Sequence, residues 1–158
     1  MLKIYNKRQK MLNTYMKITL LLATLSLFNV ALAELPKTRI AANGITYMSG
    51  GIGHDEVLEM RPFAKNFTLN LILSEGAIGR SVEKANVNIY NEQDERIFRI
   101  AGAKPVLYVN LTAGTYHILA TNNGQKLRHK FTIDGTTNQK IILNWKDEVA
   151  EDAYIESK

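Results

Sequence analysis

A mostly β fold, an antiparallel β-sandwich with one short helix ahead of it, is the fold class this sequence predicts. Three observations carry that expectation. From Leu69 to Trp145 the apolar residues recur with a period of two, and turn chemistry breaks the run into about seven or eight short segments. A single stretch, residues 54–67, repeats its apolar residues at helical spacing. The chain has no cysteine, so whatever it folds into must be held by its core.

The first segment reads as an export signal. Lys3, Lys7, Arg8, Lys10 and Lys17 precede the apolar run Ile18 to Val30, which ends in Ala31-Leu32-Ala33, small residues at the two positions a signal peptidase must accommodate. As a helix that run spans about 20 Å, short of the roughly 30 Å of a bilayer core, so a permanent anchor is the weaker reading. Cleavage after Ala33 is expected, with Met1, Met11 or Met16 as the start. Removing residues 1–33 also changes the charge argument. Of the 20 Lys and Arg, five lie in this leader, which leaves 15 against 15 Asp and Glu. The net charge of +5 therefore belongs to the leader. Nucleic acid is not expected as a partner. The remaining residues suffice for one domain, placed here at 44–146 behind a flexible leader 34–43 and ahead of an acidic tail 147–158. The expected compartment is the periplasm or the exterior.

Gly44 to Met48 is a candidate first strand. The stretch YMSGGIGHDE follows, with Gly50, Gly51 and Gly53 directly before a helical pattern of Val57, Leu58, Met60, Phe63, Ala64 and Phe67. Asp55 and Glu56 favour the positive amino end of that helix. Pro62 predicts a kink, or a helix that ends near Met60 and restarts. The candidate partner-binding or structural loop is Tyr47, Gly50, Gly51, Gly53, His54 and Asp55. A phosphate cradle is not expected there: read from Gly51 the motif is G-x-G-x-x-E, and Asp55 and Glu56 put negative charge where a phosphate would sit. The glycines are expected to turn the chain into a helix that covers an edge or end of the sandwich, in conformations costly to any residue with a Cβ.

The strands follow in order. TLNLILSE directs Leu69, Leu71 and Leu73 to one side. ANVNIYN directs Ala85, Val87 and Ile89 to one side and Asn86, Asn88 and Tyr90 to the other. RIFRI, VLYVNL, TYHILAT, KLRHKFTI and KIILNW complete the set. Asn123-Gly124 tolerates the positive φ of a two-residue type I′ turn, which pairs 122 with 125, 118 with 129 and 117 with 130. Tyr116, Ile118, Ala120, Leu127, His129, Phe131 and Ile133 then share one face, and His117, Leu119, Arg128, Lys130 and Thr132 share the other.

That register bears on chemistry, because His117 and His129 point to opposite sides of the sheet. His54 in HDEVLEM lacks a second histidine one turn on, so no metal site is expected. No GxSxG elbow, cysteine or distinguishable carboxylate pair marks a catalytic centre, and no cofactor is expected. His54 and His117 are read as exposed, His129 as a half-buried polar tip. The matches Asn66-Phe67-Thr68 and Asn110-Leu111-Thr112 are read as chance, and Trp145 as core.

The strand Ala85-x-Val87-x-Ile89, the polar turn after it, and Leu111-x-x-Gly114-x-Tyr116-x-Ile118 leading into Asn123-Gly124 resemble the carboxypeptidase regulatory-like domains of the prealbumin (transthyretin-like) fold. The stretch Gly44 to Trp145 is similar to small exported bacterial proteins bearing that domain. The resemblance implies a seven-stranded sandwich used as a binding, folding or stalk module without activity of its own. AGAKPVLY departs from the pattern, as does Ala113 where a proline is common. The transthyretin-like hydrolases of a purine-breakdown intermediate end in Tyr-Arg-Gly-Ser, whereas this chain ends AYIESK.

The expected function is thus that of a non-enzymatic envelope protein binding a protein partner through a sheet edge or the loops at one end. The alternatives are a small hydrolase or carbohydrate-binding protein with its site near GGIGHDE, and a subunit of a surface fibre. Gly114 is expected in a turn conformation, with Tyr116 burying its ring.

Overall fold

The computed structural model describes residues 37–147. The segment read as an export signal, residues 34–36 of the stretch read as a leader, and the tail beyond Asp147 lie outside the described residues. Between them stand two sheets packed face to face, a β-sandwich with one α-helix.

The first sheet contains β1 (Arg39–Ile40), β2 (Thr46–Gly50), β3 (Leu69–Glu75), β4 (Arg80–Ser81), β7 (Val106–Val109) and β10 (Gln139–Trp145), in the order β1-β2-β7-β3-β10 with β4 paired to the end of β3. The second runs β6 (Arg96–Ala103), β5 (Ala85–Tyr90), β8 (Gly114–Asn122), β9 (Gln125–Ile133). Ten strands are thus described, eight of them four residues or longer, rather than seven. The stretch read as a leader supplies β1, whose Arg39 and Ile40 pair with Tyr47 and Thr46. The first long strand begins at Thr46, because Gly44 is taken up by a turn at φ 85°.

The pairing is not antiparallel throughout. β10 lies parallel to β3, from Gln139 beside Leu69 to Trp145 beside Glu75. The chain leaves β3, builds the whole second sheet, and returns in the same direction to close the first. Ser74 and Asn144 meet across this pair, the Ser74 hydroxyl 3.1 Å from Asn144 Oδ1, and Asn144 Nδ2 donates to the Gly76 carbonyl.

Between the sheets the alternating residues meet as expected. Leu69, Leu71, Leu73, Leu107, Val109, Ile141 and Leu143 pack against Val87, Ile89, Phe98, Ile118, Phe131 and Ile133. Trp145 is buried among them and donates its indole N–H to the Gln125 carbonyl at 3.1 Å. The tyrosine before His117 is anchored twice: Tyr116 lies 5.7 Å from Phe131, ring centre to ring centre, and its hydroxyl donates to the Thr112 carbonyl at 2.9 Å. Gly114 is not a turn residue. At φ 159° it opens β8 in an extended conformation, and an added Cβ would touch the Tyr116 ring.

A second apolar cluster lies on the far side of the first sheet. Helix α1 (Gly53–Met60) runs into a 3-10 helix (Arg61–Asn66) with Pro62 in its first turn, so the helical path changes where the proline removes a backbone donor. Met60 and Phe67 from this segment pack on Met48, Val106 and Tyr108, the outward residues of β2 and β7. The helix therefore covers a face of the sheet, not an edge or an end. Burial there pushes the Tyr108 hydroxyl up, with Arg61 opposing the shift.

The two Asn-x-Thr segments are structural. Thr68 N–H donates to Asn110 Oδ1, Leu111 N–H donates to the Thr68 hydroxyl at 2.8 Å, and that hydroxyl donates to the Leu111 carbonyl, which locks the start of β3 to the end of β7.

Candidate functional site

The glycine stretch is spent on packing. Gly50 ends β2 with an ordinary φ, yet an added Cβ would stand 2.6 Å from Glu56 Oε1 and 2.7 Å from the Met60 sulfur. At Gly51, φ is 86° and the same atom would meet Val106 Cγ2 at 2.6 Å. Gly53, at φ 80°, faces open space and is needed for its backbone alone. Glu56 turns back to accept the Ile52 N–H at the head of α1, so its charge serves the helix terminus. A Cβ at Gly50 would thus overlap α1, and one at Gly51 would overlap Val106 of β7. Tyr47 points the other way, edge-on to Phe98 at 5.3 Å against the main core, while His54 and Asp55 lie exposed on α1. The structure therefore does not bring these residues together as one site: Tyr47 belongs to the core, the glycines to the strand-to-helix turn, and His54 and Asp55 to the surface.

The residues it does bring together are on the outer face of the second sheet. The turn at Asn123 (φ 47°) and Gly124 (φ 83°) fixes the expected register, with Asn122 opposite Gln125, Ile118 opposite His129 and His117 opposite Lys130. Pairing of β5 with β8 then adds what the hairpin alone does not determine. Arg96, Tyr90, His117 and Lys130 stand in one row across the four strands, and Arg99, Asn88, Leu119 and Arg128 in the next. Tyr90 and His117 stack with ring centres 4.9 Å apart and planes 6° from parallel. His117 Nε2 lies 3.5 Å from Asp94 Oδ1 in the turn that follows β5. That turn holds its shape through Asn91, whose side-chain oxygen accepts the N–H groups of Gln93 and Glu95. Asn91, Glu92, Asp94, His117, Arg128 and Lys130 line a cleft of about 270 Å³.

The histidines thus exchange the roles expected of them. His117 is half-buried by its stack on Tyr90, and His129 is exposed because β9 is the edge of its sheet, where the inward side is no longer covered. Among the described residues no group of three or more His, Asp or Glu is placed to hold a metal ion, and no helix is long and apolar enough to cross a membrane.

A second hollow of about 140 Å³ lies where β3, β4 and β10 end near the β8–β9 turn. Arg80 bridges Asp147 at 2.8 Å and Glu75 at 3.2 Å there, so its charge is answered within the fold.

No protein-family model matches the chain, and no curated protein matches it. Among solved structures, 52% of the chain is similar to the 5-hydroxyisourate hydrolase of Klebsiella pneumoniae, at 16% identity and a TM-score of 0.38, covering 89% of that chain. The TIE protein of Bacillus anthracis is similar over 50% of this chain, at 19% identity and a TM-score of 0.33, with 16% of its own length covered. Likenesses of this extent say nothing of activity.

Proposed function

We propose that the chain is an exported, non-enzymatic envelope protein, a prealbumin-like β-sandwich of the carboxypeptidase regulatory-like kind that acts as a binding or accessory module for a protein partner. The observation that supports this reading best is the contrast between the two outer faces. On the outside of the first sheet α1 and the 3-10 helix cover β2 and β7 and leave Lys140, Ile142 and Asn144 of β10 exposed, whereas the second presents Tyr90, His117 and Leu119, all half-buried, inside a margin of Arg and Lys. Aromatic and apolar groups at the centre with Arg at the rim is the composition of a protein-binding surface. The export signal and the resemblance of the β5 to β9 region support the compartment and the fold type.

The test is site-specific photocrosslinking in the cell that makes the protein. A photoreactive residue in place of Leu119 should give one discrete protein adduct in the envelope fraction, and the same residue in place of Leu58 on α1 should not. Absence of any adduct at Leu119, or equal adducts at both positions, refutes the reading. Intact mass of the exported form checks the compartment, with Glu34 as the expected first residue.

A further inference from the structure

We propose that the outer face of the second sheet is a docking surface for an acidic protein segment. The inference rests on the binding-module reading and adds the chemistry of the partner. Along β9 the outward residues are Lys126, Arg128 and Lys130, and along β6 they are Arg96 and Arg99, each placed by its opposite number on β8 or β5. All five are exposed, and among the described residues none is in a salt bridge. β6 and β9 are the outer strands of the sheet. At about 4.8 Å per strand they form two cationic margins about 14 Å apart.

Between the margins the strands carry no carboxylate at all. The centre is Asn86, Asn88, Tyr90, His117, Leu119 and Thr121, side chains able to hydrogen-bond or to pack. The acidic groups near the face, Glu92, Asp94 and Glu95, sit in the turn beyond the Tyr90 row, and Asn91 Nδ2 donates to Glu95. They stand at one end of the face, where Glu92 and Asp94 share a cleft with Arg128 and Lys130, while Glu75 accepts from Asn122 at the other.

This segregation occurs in a chain whose residues after Ala33 carry equal numbers of acidic and basic groups, so it is a local arrangement and not the overflow of a basic protein. Margins about 14 Å apart admit an extended strand between them, or a helix of about 10–12 Å, with its carboxylates facing the margins. A polyanion such as a sulfated glycan or a lipid surface would be met best by cations at the centre of contact. Here the centre carries no Lys or Arg and is partly apolar, which favours a polypeptide. Attraction between exposed charges makes the association salt-dependent.

The experiment measures binding of a fluorescein-labelled deca-glutamate peptide to the exported protein. Deca-lysine, heparin and phosphatidylglycerol vesicles serve as comparison probes. The expected result is saturable binding of deca-glutamate. It should weaken about tenfold or more between about 0.1 M and 1 M salt, over which the Debye length falls from about 10 Å to about 3 Å. Arg99→Glu with Arg128→Glu should abolish it at unchanged melting temperature, while Lys65→Glu with Lys84→Glu should leave it intact. Failure of the peptide to bind, or binding indifferent to Arg99→Glu with Arg128→Glu, overturns the proposal. So does binding of heparin or vesicles in preference to the peptide. Binding seen only after residues 148–158 are removed would make the chain's own acidic tail the occupant and overturn it equally. A Leu119 crosslink without peptide binding would leave the binding module standing and its acidic partner refuted.

Discussion

The two sheets of this sandwich share one core but differ on their outer faces. β7 of the first sheet is VLYV, four buried residues in succession, because Leu107 and Val109 face the second sheet while Val106 and Tyr108 lie beneath the helical segment. β5 of the second is ANVNIY, where buried Ala85, Val87 and Ile89 alternate with Asn86, Asn88 and Tyr90. A strand covered on both faces becomes a continuous apolar run, and a strand covered on one keeps its alternation. The β2–β7 part of the first sheet is packed on both sides, and the second sheet is packed on one.

The comparison can be broken first at Tyr116 and His117, neighbours on β8 that point to opposite sides. Tyr116→Ala removes a buried ring from the core and should cost about 3–5 kcal/mol. His117→Ala removes a half-buried ring from the open face and should cost under about 1 kcal/mol. Urea unfolding of both variants decides; equal losses would mean that the second sheet has no open face.

The next test sets one outer face against the other. Met60 is wholly buried on the first sheet and Leu119 half-buried on the second. Met60→Ala should cost about 2–5 kcal/mol and Leu119→Ala distinctly less, since its site has solvent on one side. Comparable midpoints for the two variants in denaturant would remove the distinction between a covered and an open sheet.

The smallest effects sharpen how the helical cover is attached. Gly51→Ala combines a positive φ with an overlap against Val106 and should cost more than about 1 kcal/mol, whereas Gly53→Ala has only the φ to contend with and should cost about 1 kcal/mol. Thermal melts should therefore rank Gly51→Ala below Gly53→Ala. The reverse order would place the strain in the helix terminus and not in the approach of β2 to β7.

Much of this was legible locally. Asn-Gly at 123–124 specified its own turn and with it the β8–β9 register, so His117, Arg128 and Lys130 could be placed on one face before any long-range contact was known. Pro62 marked the change of helix type, and Leu69, Leu71 and Leu73 marked the inner side of β3. The other half of the candidate site was not legible. Tyr90, Asn88, Arg96 and Arg99 join it through pairing of β5 with β8 and β6, and nothing in a 30-residue window says which strand will lie beside which.

By itself, then, the sequence determined the eight longer strands, most of their inward residues, the hairpin and the helical segment, because turn chemistry and period act between residues near in the chain. Tertiary structure alone decided the parallel closure of β10 on β3, the helix lying over a face, and the use of Gly50 and Gly51 for close approach. Each of these depends on surfaces that meet only when distant segments pack: β3 and β10 join in parallel although Ser74 and its partner Asn144 are 70 positions apart. Pairing at such separation is selected by which apolar faces remain to be buried, a property of the assembled core rather than of any local stretch.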